Sequence, residues 1–221
     1  MKNMSRPNQI TALTVGVAFL AFIAAIVYGI VAAGNDRARA ESADTSIVLR
    51  DDSHRLDTAE HSNVTLVEFL DFECEACGAA YPFIEQLREQ YAGQVTFVAR
   101  YFPIPSHRNA LNAAYAVESA ARQDKFEEMY QRMFQTQTEW GESQDSKAAL
   151  FRTFAEDLGL DMKQYDADVA SESVKTRVQK DIDDGTALGV SGTPTFFLNG
   201  EKLEVTSTAD FHRAIESALA N

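Results

Sequence analysis

Cys74 and Cys77 are the residues of this 221-residue chain whose type and spacing most clearly predict chemistry, and the chain has no other cysteine. They form a Cys-Glu-Ala-Cys motif where a predicted apolar strand, Val64–Leu70, gives way to an amphipathic helix from about Ala76 to Tyr91. Two sulfurs three residues apart in a first helical turn can close a disulfide. The free N–H groups and the positive dipole end of that turn favour a thiolate on the first cysteine. The motif therefore predicts a dithiol/disulfide redox centre.

Composition argues against several other classes of function. The chain has 33 acidic and 20 basic residues, a net charge of −13, which disfavours nucleic acid and anionic lipid as ligands. One Cys-x-x-Cys supplies two of the roughly four ligands of a zinc site. The four histidines are scattered without paired spacing, so we expect no metal and no cofactor beyond the redox disulfide itself. A purely structural disulfide would close so small a loop that it would constrain the unfolded chain little.

The N-terminal stretch is predicted to lie in a membrane. Ile10–Gly34 carries no charge and is long enough to cross a bilayer, and Lys2 and Arg6 before it favour a cytoplasmic N-terminus. The alternative is a cleaved signal, since Ala38-Arg-Ala40 resembles a cleavage site. The predicted segments are a cytoplasmic N-terminus at 1–9, an anchor at 10–34, a linker at 35–45 and a domain at 46–221. We expect that domain to be extracytoplasmic, in a single-pass protein of the cell membrane, where disulfides persist.

The remaining pattern must position the cysteines. In the first part of the domain, the pattern predicts an edge strand at Ile47–Arg50, the strand and helix around the cysteine motif, and a strand at Val95–Arg100. A helical stretch follows, with segments at Asn109–Ala121, Lys125–Phe134, Lys147–Leu158, Met162–Val169 and Val174–Leu188. The end of the chain predicts a strand at Thr195–Leu198, an Asn199-Gly200 hairpin, a strand at Lys202–Val205 and a helix at Thr208–Ala220 capped by Ser207 or Thr208. This order, βαβ, an all-helical insertion at about 106–188, then ββα, is an α/β thioredoxin fold.

Three stretches of the chain resemble the DsbA family of thiol–disulfide oxidoreductases, of the membrane-anchored DsbA/BdbD type. They are Val67-Glu-Phe-Leu-Asp-Phe-Glu-Cys-Glu-Ala-Cys77, Arg100-Tyr-Phe-Pro-Ile-Pro-Ser-His107 and Gly189-Val-Ser-Gly-Thr-Pro-Thr-Phe-Phe-Leu-Asn-Gly200. Together they cover most of Ile47 to Asn221. A Cys-x-x-Cys alone is weak evidence, whereas these motifs in this order are specific. The resemblance implies an enzyme that exchanges disulfides with proteins.

The resemblance also implies roles for individual residues. Cys74 is expected to be the nucleophile and Cys77 the cysteine that resolves the mixed disulfide. Glu68 matches an acid beneath the redox pair that could relay a proton to Cys77, the alternative being a solvated carboxylate. Thr193-Pro194 resembles the family's cis-proline loop, which would present the Thr193 backbone to an extended substrate; the alternative is an ordinary trans proline.

Glu75 and Ala76, between the cysteines, are expected to tune the redox potential. Family members with Pro-His there are strong oxidants, and a carboxylate would oppose a neighbouring thiolate. We therefore predict a higher Cys74 pKa and a less oxidising couple than in the Pro-His type. The alternative is that Glu75 faces water and complements the helix dipole. His107 is interpreted as a hydrogen-bonded loop histidine, with capping of the next helix or a place in the site as alternatives.

The predicted function is disulfide formation or exchange in secreted and envelope proteins that contain cysteines. A membrane redox partner would re-oxidise the pair, or a reductant would be supplied across the membrane. No dimerisation domain is visible, so we expect a monomer rather than an isomerase. The alternatives are a tethered thioredoxin-like reductase and a non-catalytic module that binds clients through the Pro194 loop.

Overall fold

A five-stranded mixed sheet lies at the centre of the computed structural model, which describes residues 47–220. Its strands are β1 His54–Asp57, β2 Val64–Leu70, β3 Val95–Tyr101, β4 Thr195–Leu198 and β5 Glu201–Lys202. Their order across the sheet is β1-β3-β2-β4-β5. The central pair β2 and β3 is parallel, and the other neighbours are antiparallel. Both central strands are apolar along nearly their whole length because the sheet is covered on both faces.

The helices of the described residues fall into three groups along the chain. Helix α1, Glu75–Gln90, connects the parallel strands β2 and β3. The insertion between β3 and β4 contains α2 Ala110–Ala121, α3 Phe126–Gln135, α4 Gln137–Trp140, α5 Ala148–Asp157, α6 Met162–Ala170 and α7 Glu172–Ala187. Helix α8, Thr208–Leu219, follows β5 and is capped by the Ser207 hydroxyl, which accepts a hydrogen bond from the Asp210 amide. The predicted thioredoxin plan with an all-helical insertion is therefore confirmed.

The insertion is organised around the alanine-rich helix α2. Its small buried side chains let α3, α5, α6 and α7 approach it closely. Aromatic residues of the insertion form much of the surrounding core, with Tyr130, Phe134, Trp140, Phe151 and Phe154 all buried. Leu70 and Phe72, at the end of β2, belong to the same core, so the insertion is packed directly against the turn that leads to the cysteines.

Buried charges tie the last insertion helix to the sheet. Arg100 of β3 is fully buried, and its guanidinium donates to Asp181 Oδ1 and Asp184 Oδ2 of α7, each at 2.6 Å. Arg177 reaches the same Asp181 oxygen at 2.6 Å, and Arg50 forms a bidentate pair with Asp184. These pairs fix the end of the insertion, after which the chain returns to the site through the loop before β4.

The predicted edge strand at Ile47–Arg50 is wrong. The carbonyls of Ile47 and Val48 accept hydrogen bonds from Arg100 Nη1 at 2.9 and 2.8 Å, so they are satisfied by a side chain rather than by a neighbouring strand. Val48 is buried, which explains the apolar pattern. The edge strand is β1, which pairs with β3 from His54, four residues after the predicted strand ends.

The predicted β4–β5 hairpin is confirmed, with a shorter and earlier second strand. Asn199 and Gly200 have φ values of 52° and 89°, the left-handed conformation that this two-residue turn requires. The side-chain oxygen of Asn199 also accepts a hydrogen bond from the Thr65 amide at 2.9 Å. Strand β5 covers Glu201–Lys202 instead of the predicted Lys202–Val205.

The anchor predicted at Ile10–Gly34 and the linker after it lie outside the residues that the structure describes. Between 47 and 220, none of the helices has the length and apolar character needed to cross a membrane.

Candidate active site

Cys74 occupies the N-terminal end of α1. It has an extended backbone (φ −69°, ψ 120°), its amide donates to the Asp71 carbonyl at 3.1 Å, and helix α1 begins at the next residue. Cys77 lies one turn further along and is 1 % exposed, whereas Cys74 is partly exposed. Both are free thiols. The first sulfur is therefore accessible to a substrate and the second is enclosed, the arrangement predicted from the sequence.

The environment separates the acidities of the two thiols. A hydrogen bond with the Cys77 thiol lowers the pKa of Cys74 to about 5, helped by the Thr193 side chain and the amides of Ala76 and Cys77 and opposed by burial. Burial, together with the hydrogen bond to Cys74 and the negative charge of its thiolate, raises the pKa of Cys77 well above that of an ordinary thiol. This contrast agrees with the predicted roles of Cys74 as the nucleophile and Cys77 as the resolving cysteine, and both roles stay predictions.

Glu68 is enclosed in the central strand β2 beneath the redox pair. It lies opposite Ala99 of β3 and Phe196 of β4 and is only 6 % exposed. Burial raises its pKa to about 8, with smaller contributions from the charges of Glu85 and Cys74. The solvated alternative is therefore wrong, and the carboxyl is mostly protonated at neutral pH. Its role as a proton relay stays a prediction.

The Thr193–Pro194 bond is cis, as predicted. It lies in the loop between α7 and β4, and the Thr193 carbonyl is 3.3 Å from Cys74 Sγ, within hydrogen-bond distance of the thiol. The loop follows a turn at Gly189, which has a positive φ of 75°. The Thr193–Pro194 loop and the Cys-Glu-Ala-Cys motif are far apart in sequence, but the contact between the Thr193 carbonyl and Cys74 Sγ brings them together.

Glu75 and Ala76 are both exposed to solvent. The groups that most affect the Cys74 pKa are Cys77, Thr193 and the first-turn amides, rather than the carboxylate of Glu75. This exposure favours the alternative in which Glu75 faces water. The comparison with a Pro-His motif stays a prediction.

Gln137 is a site residue that the sequence analysis missed. It begins the short helix α4, and its side-chain Nε2 donates to the carbonyls of Phe72 and Cys74 at 2.8 and 2.9 Å. A Cβ at position 78 would lie 1.9 Å from Gln137 Oε1, so Gly78 is required for this close approach. A four-residue helix has no periodic pattern that could have revealed it.

His107 is the second residue whose place the sequence analysis did not identify. Its Nδ1 lies 2.6 Å from Asp71 Oδ2, and the other oxygen of Asp71 accepts from the Glu73 amide at 2.8 Å. The Ile104 amide also donates to Asp71 Oδ2, at 2.9 Å. The loop that opens the insertion is thereby joined to the turn that carries Cys74. The sequence feature that could have indicated this contact is Asp71, three residues before Cys74, because a carboxylate that is buried needs a partner.

A groove of about 490 Å³ lies beside the start of α1, between it and the insertion. Its lining includes Glu73, Glu75, Gly78, Phe134 and Gln137. Over the described range, 47–220, His, Cys, Asp and Glu side chains form no group that could hold a metal ion.

The family model described as Thioredoxin matches residues 58–217. The chain belongs to this family. A thioredoxin-like oxidoreductase from Silicibacter pomeroyi DSS-3 superposes with a TM-score of 0.66 and 23 % identity, covering 80 % of this chain and 98 % of that one. BdbD from Bacillus subtilis superposes with a TM-score of 0.67 and 19 % identity, covering 76 % and 94 %. The family match confirms the thioredoxin family, and the superpositions show that the chain shares the fold of these thioredoxin-like proteins, BdbD among them.

Curated relatives with higher identity are larger proteins. The Na(+)/H(+) antiporter NhaA 1 of Mycobacterium sp. (strain KMS) is 36 % identical over 144 residues, which are 63 % of this chain and 22 % of that protein. The Na(+)/H(+) antiporter NhaA 3 of Salinispora tropica is 39 % identical over 140 residues, which are 63 % of this chain and 20 % of that protein. The chain therefore spans about a fifth of the length of the curated relatives that it matches.

Proposed function

We propose that this protein is an extracytoplasmic thiol–disulfide oxidoreductase that introduces or exchanges disulfides in secreted and envelope proteins. The observation that carries the proposal is the contrast between the two thiols: a partly exposed Cys74 with a pKa of about 5 beside a buried Cys77 with a raised pKa. A stable thiolate on the outer cysteine stabilises the reduced pair, and a couple whose reduced form is stabilised is an oxidant.

In the oxidising direction, a client thiolate attacks Cys74 of the Cys74–Cys77 disulfide. The bond between the two cysteines breaks, a mixed disulfide forms between the client and Cys74, and Cys77 leaves as a thiolate that must be protonated. Glu68, protonated at neutral pH, is the proposed proton source, directly or through water. A second client thiolate then attacks the client sulfur and releases Cys74 as a thiolate. Two electrons move from client to enzyme.

The Thr193–Pro194 loop and the groove provide the proposed client site. The Thr193 backbone lies beside Cys74, where an extended client segment can pair with it. The groove on the side of Gly78 and Gln137 offers room for neighbouring client side chains. These features support binding of unfolded, cysteine-containing segments.

The cellular setting is proposed from the sequence. The uncharged segment Ile10–Gly34 supports a membrane anchor, and an extracytoplasmic domain would keep the cysteines where disulfides persist. Continued oxidation of clients then requires a membrane redox partner that accepts two electrons from the reduced pair. Labelling of Cys74 in intact cells by a membrane-impermeant thiol reagent tests this placement; labelling only after lysis would contradict it.

The activity is tested with paired cysteine variants of the full chain. We expect Cys77→Ser, offered a peptide that contains a disulfide, to accumulate a covalent complex through Cys74 that is visible on a non-reducing gel. The matched Cys74→Ser control should form none and should lose turnover. Unchanged turnover in Cys74→Ser would refute the enzyme proposal. Absence of turnover in the wild type, with client binding retained in both variants, is the result expected of a non-catalytic binding module.

The direction of net exchange is tested by the reduction potential of the full chain, equilibrated with glutathione buffers. The low Cys74 pKa predicts a value nearer roughly −120 mV, the strongly oxidising end of the range, than roughly −270 mV, the value of thioredoxin. A value at the thioredoxin end would instead indicate a tethered reductase.

A further inference from the structure

The imidazole of His107 is fixed at the edge of the active site by a buried carboxylate. Its Nδ1 is 2.6 Å from Asp71 Oδ2, and the Asp71 side chain is fully buried while that of His107 is 31 % exposed. Asp71 is itself held by the amides of Glu73 and Ile104. Both partners therefore have little freedom to move relative to the turn that precedes α1.

The same turn carries the nucleophile. The backbone carbonyl of Asp71 accepts the hydrogen bond of the Cys74 amide at 3.1 Å, so the carboxylate that orients His107 belongs to the residue that also orients Cys74. The insertion loop thus delivers an ionisable imidazole to a site whose own motif, Cys-Glu-Ala-Cys, contains no basic residue.

From this geometry we propose that His107, held in its protonated form by Asp71, is a positioning residue that stabilises the Cys74 thiolate by its positive charge. This inference rests on the proposed oxidoreductase function and deepens it. Because the thiolate exists only in the reduced pair, such a cation stabilises the reduced enzyme and makes the couple more oxidising. His107 would then supply, from the insertion, the charge that the dipeptide between the cysteines lacks.

The charges around His107 favour its protonated form, although burial also raises the pKa of the Asp71 carboxyl against the hydrogen bonds from the Ile104 and Glu73 amides and from His107. Burial lowers the pKa of His107, but its hydrogen bond with Asp71 and the negative charges of Asp71, Cys74 and Glu73 outweigh that effect, so its pKa lies above the ordinary value. The adjacent Arg108 is exposed to solvent. The imidazolium therefore remains populated at a higher pH than that of a free histidine.

The test is the acid dissociation of Cys74 in the full chain, solubilised in a non-ionic detergent and followed by the ultraviolet absorbance of the thiolate. His107→Gln keeps a side chain that can donate to Asp71 but carries no charge. His107→Lys keeps a positive charge that does not titrate near neutrality. His61→Gln, an exposed histidine beside Glu60, is the matched control.

We expect His107→Gln to lower the acid dissociation constant of Cys74 about threefold to tenfold, because the positive charge beside the turn that carries the thiolate is lost. His107→Lys should stay within about twofold of wild type, and His61→Gln should be unchanged. Wild type should also show a second inflection in its pH–rate profile with a thiol reagent, as His107 loses its proton, and this inflection should be missing in His107→Lys.

An unchanged dissociation constant in His107→Gln would overturn the inference while leaving the proposed function intact. If His107→Gln does not fold, His107→Lys tests the inference instead. If the second inflection of the pH–rate profile persists in His107→Lys, the group that titrates is not His107, and the inference is overturned. A wild-type Cys74 that titrates near 9.0, the ordinary value for a thiol, would instead contradict the proposed function itself.

Discussion

Glu68→Gln should make the reduced protein more stable, by an amount that grows with pH. In the folded state the Glu68 carboxyl has a pKa of about 8, against an ordinary value of 4.5, because it is buried in β2. Between these two values the folded protein holds a proton that the unfolded chain has released. The free energy of unfolding therefore falls as the pH rises through this window. Glutamine has no proton to lose and escapes this penalty.

The size of the effect follows from the two pKa values. Each pKa unit between folded and unfolded states corresponds to about 1.4 kcal/mol, so the window from 4.5 to 8 sets an upper limit of about 5 kcal/mol. Cys74 has the opposite dependence, because its folded pKa of about 5 lies below its ordinary value of 9.0 and rising pH stabilises the reduced protein. That contribution is shared by both proteins, so the difference between them isolates Glu68.

Urea unfolding of the reduced full chain in non-ionic detergent, at several pH values from about 4 to about 8.5, measures the difference. We expect wild type and Glu68→Gln to coincide near pH 4 and to diverge steadily above pH 5. Glu89→Gln, which removes an exposed carboxylate from α1, should show no such divergence. A stability difference that does not vary with pH would refute the reasoning, because it would mean that Glu68 ionises normally in the folded protein.

Two further substitutions test how the site and the insertion are held. Gly78→Ala places a methyl group where the Gln137 side chain lies, so it should displace that side chain and cost about 1–3 kcal/mol of unfolding free energy measured with urea. Gly192→Ala is the control, because its new methyl group meets no atom within 4 Å. An equal loss of stability in both variants would contradict the assignment. Asp181→Ala leaves the buried Arg100 and the partly buried Arg177 without their shared carboxylate and should cost about 3–5 kcal/mol of unfolding free energy. The exposed Asp183→Ala should change stability by less than about 1 kcal/mol in the same denaturation experiment. Comparable losses in the two variants would show that the buried ion pair carries no special weight.

Local pattern was sufficient to predict most of the elements. The strands Val64–Leu70 and Thr195–Leu198 were predicted with their observed bounds, because an apolar run followed by a turn signal is a local feature. The edge strand of the sheet was not predicted correctly, because the buried Val48 resembles a strand residue in sequence. Its carbonyl instead accepts a hydrogen bond from the side chain of Arg100, 52 positions away. Only the folded chain reveals which of two short segments, Ile47–Arg50 or His54–Asp57, pairs with β3.

The amino-acid sequence by itself was enough to predict the redox pair, since two cysteines at helix-turn spacing, followed by a Gly-Thr-Pro loop, form a specific pattern. Tertiary structure decided how that pair is tuned. Burial of Glu68, the approach of the Thr193 carbonyl to Cys74, and the contact between His107 and Asp71 all depend on segments brought together from distant parts of the chain. Charge and hydrogen-bond energies depend on distance and solvent exposure, and neither can be read from residue order.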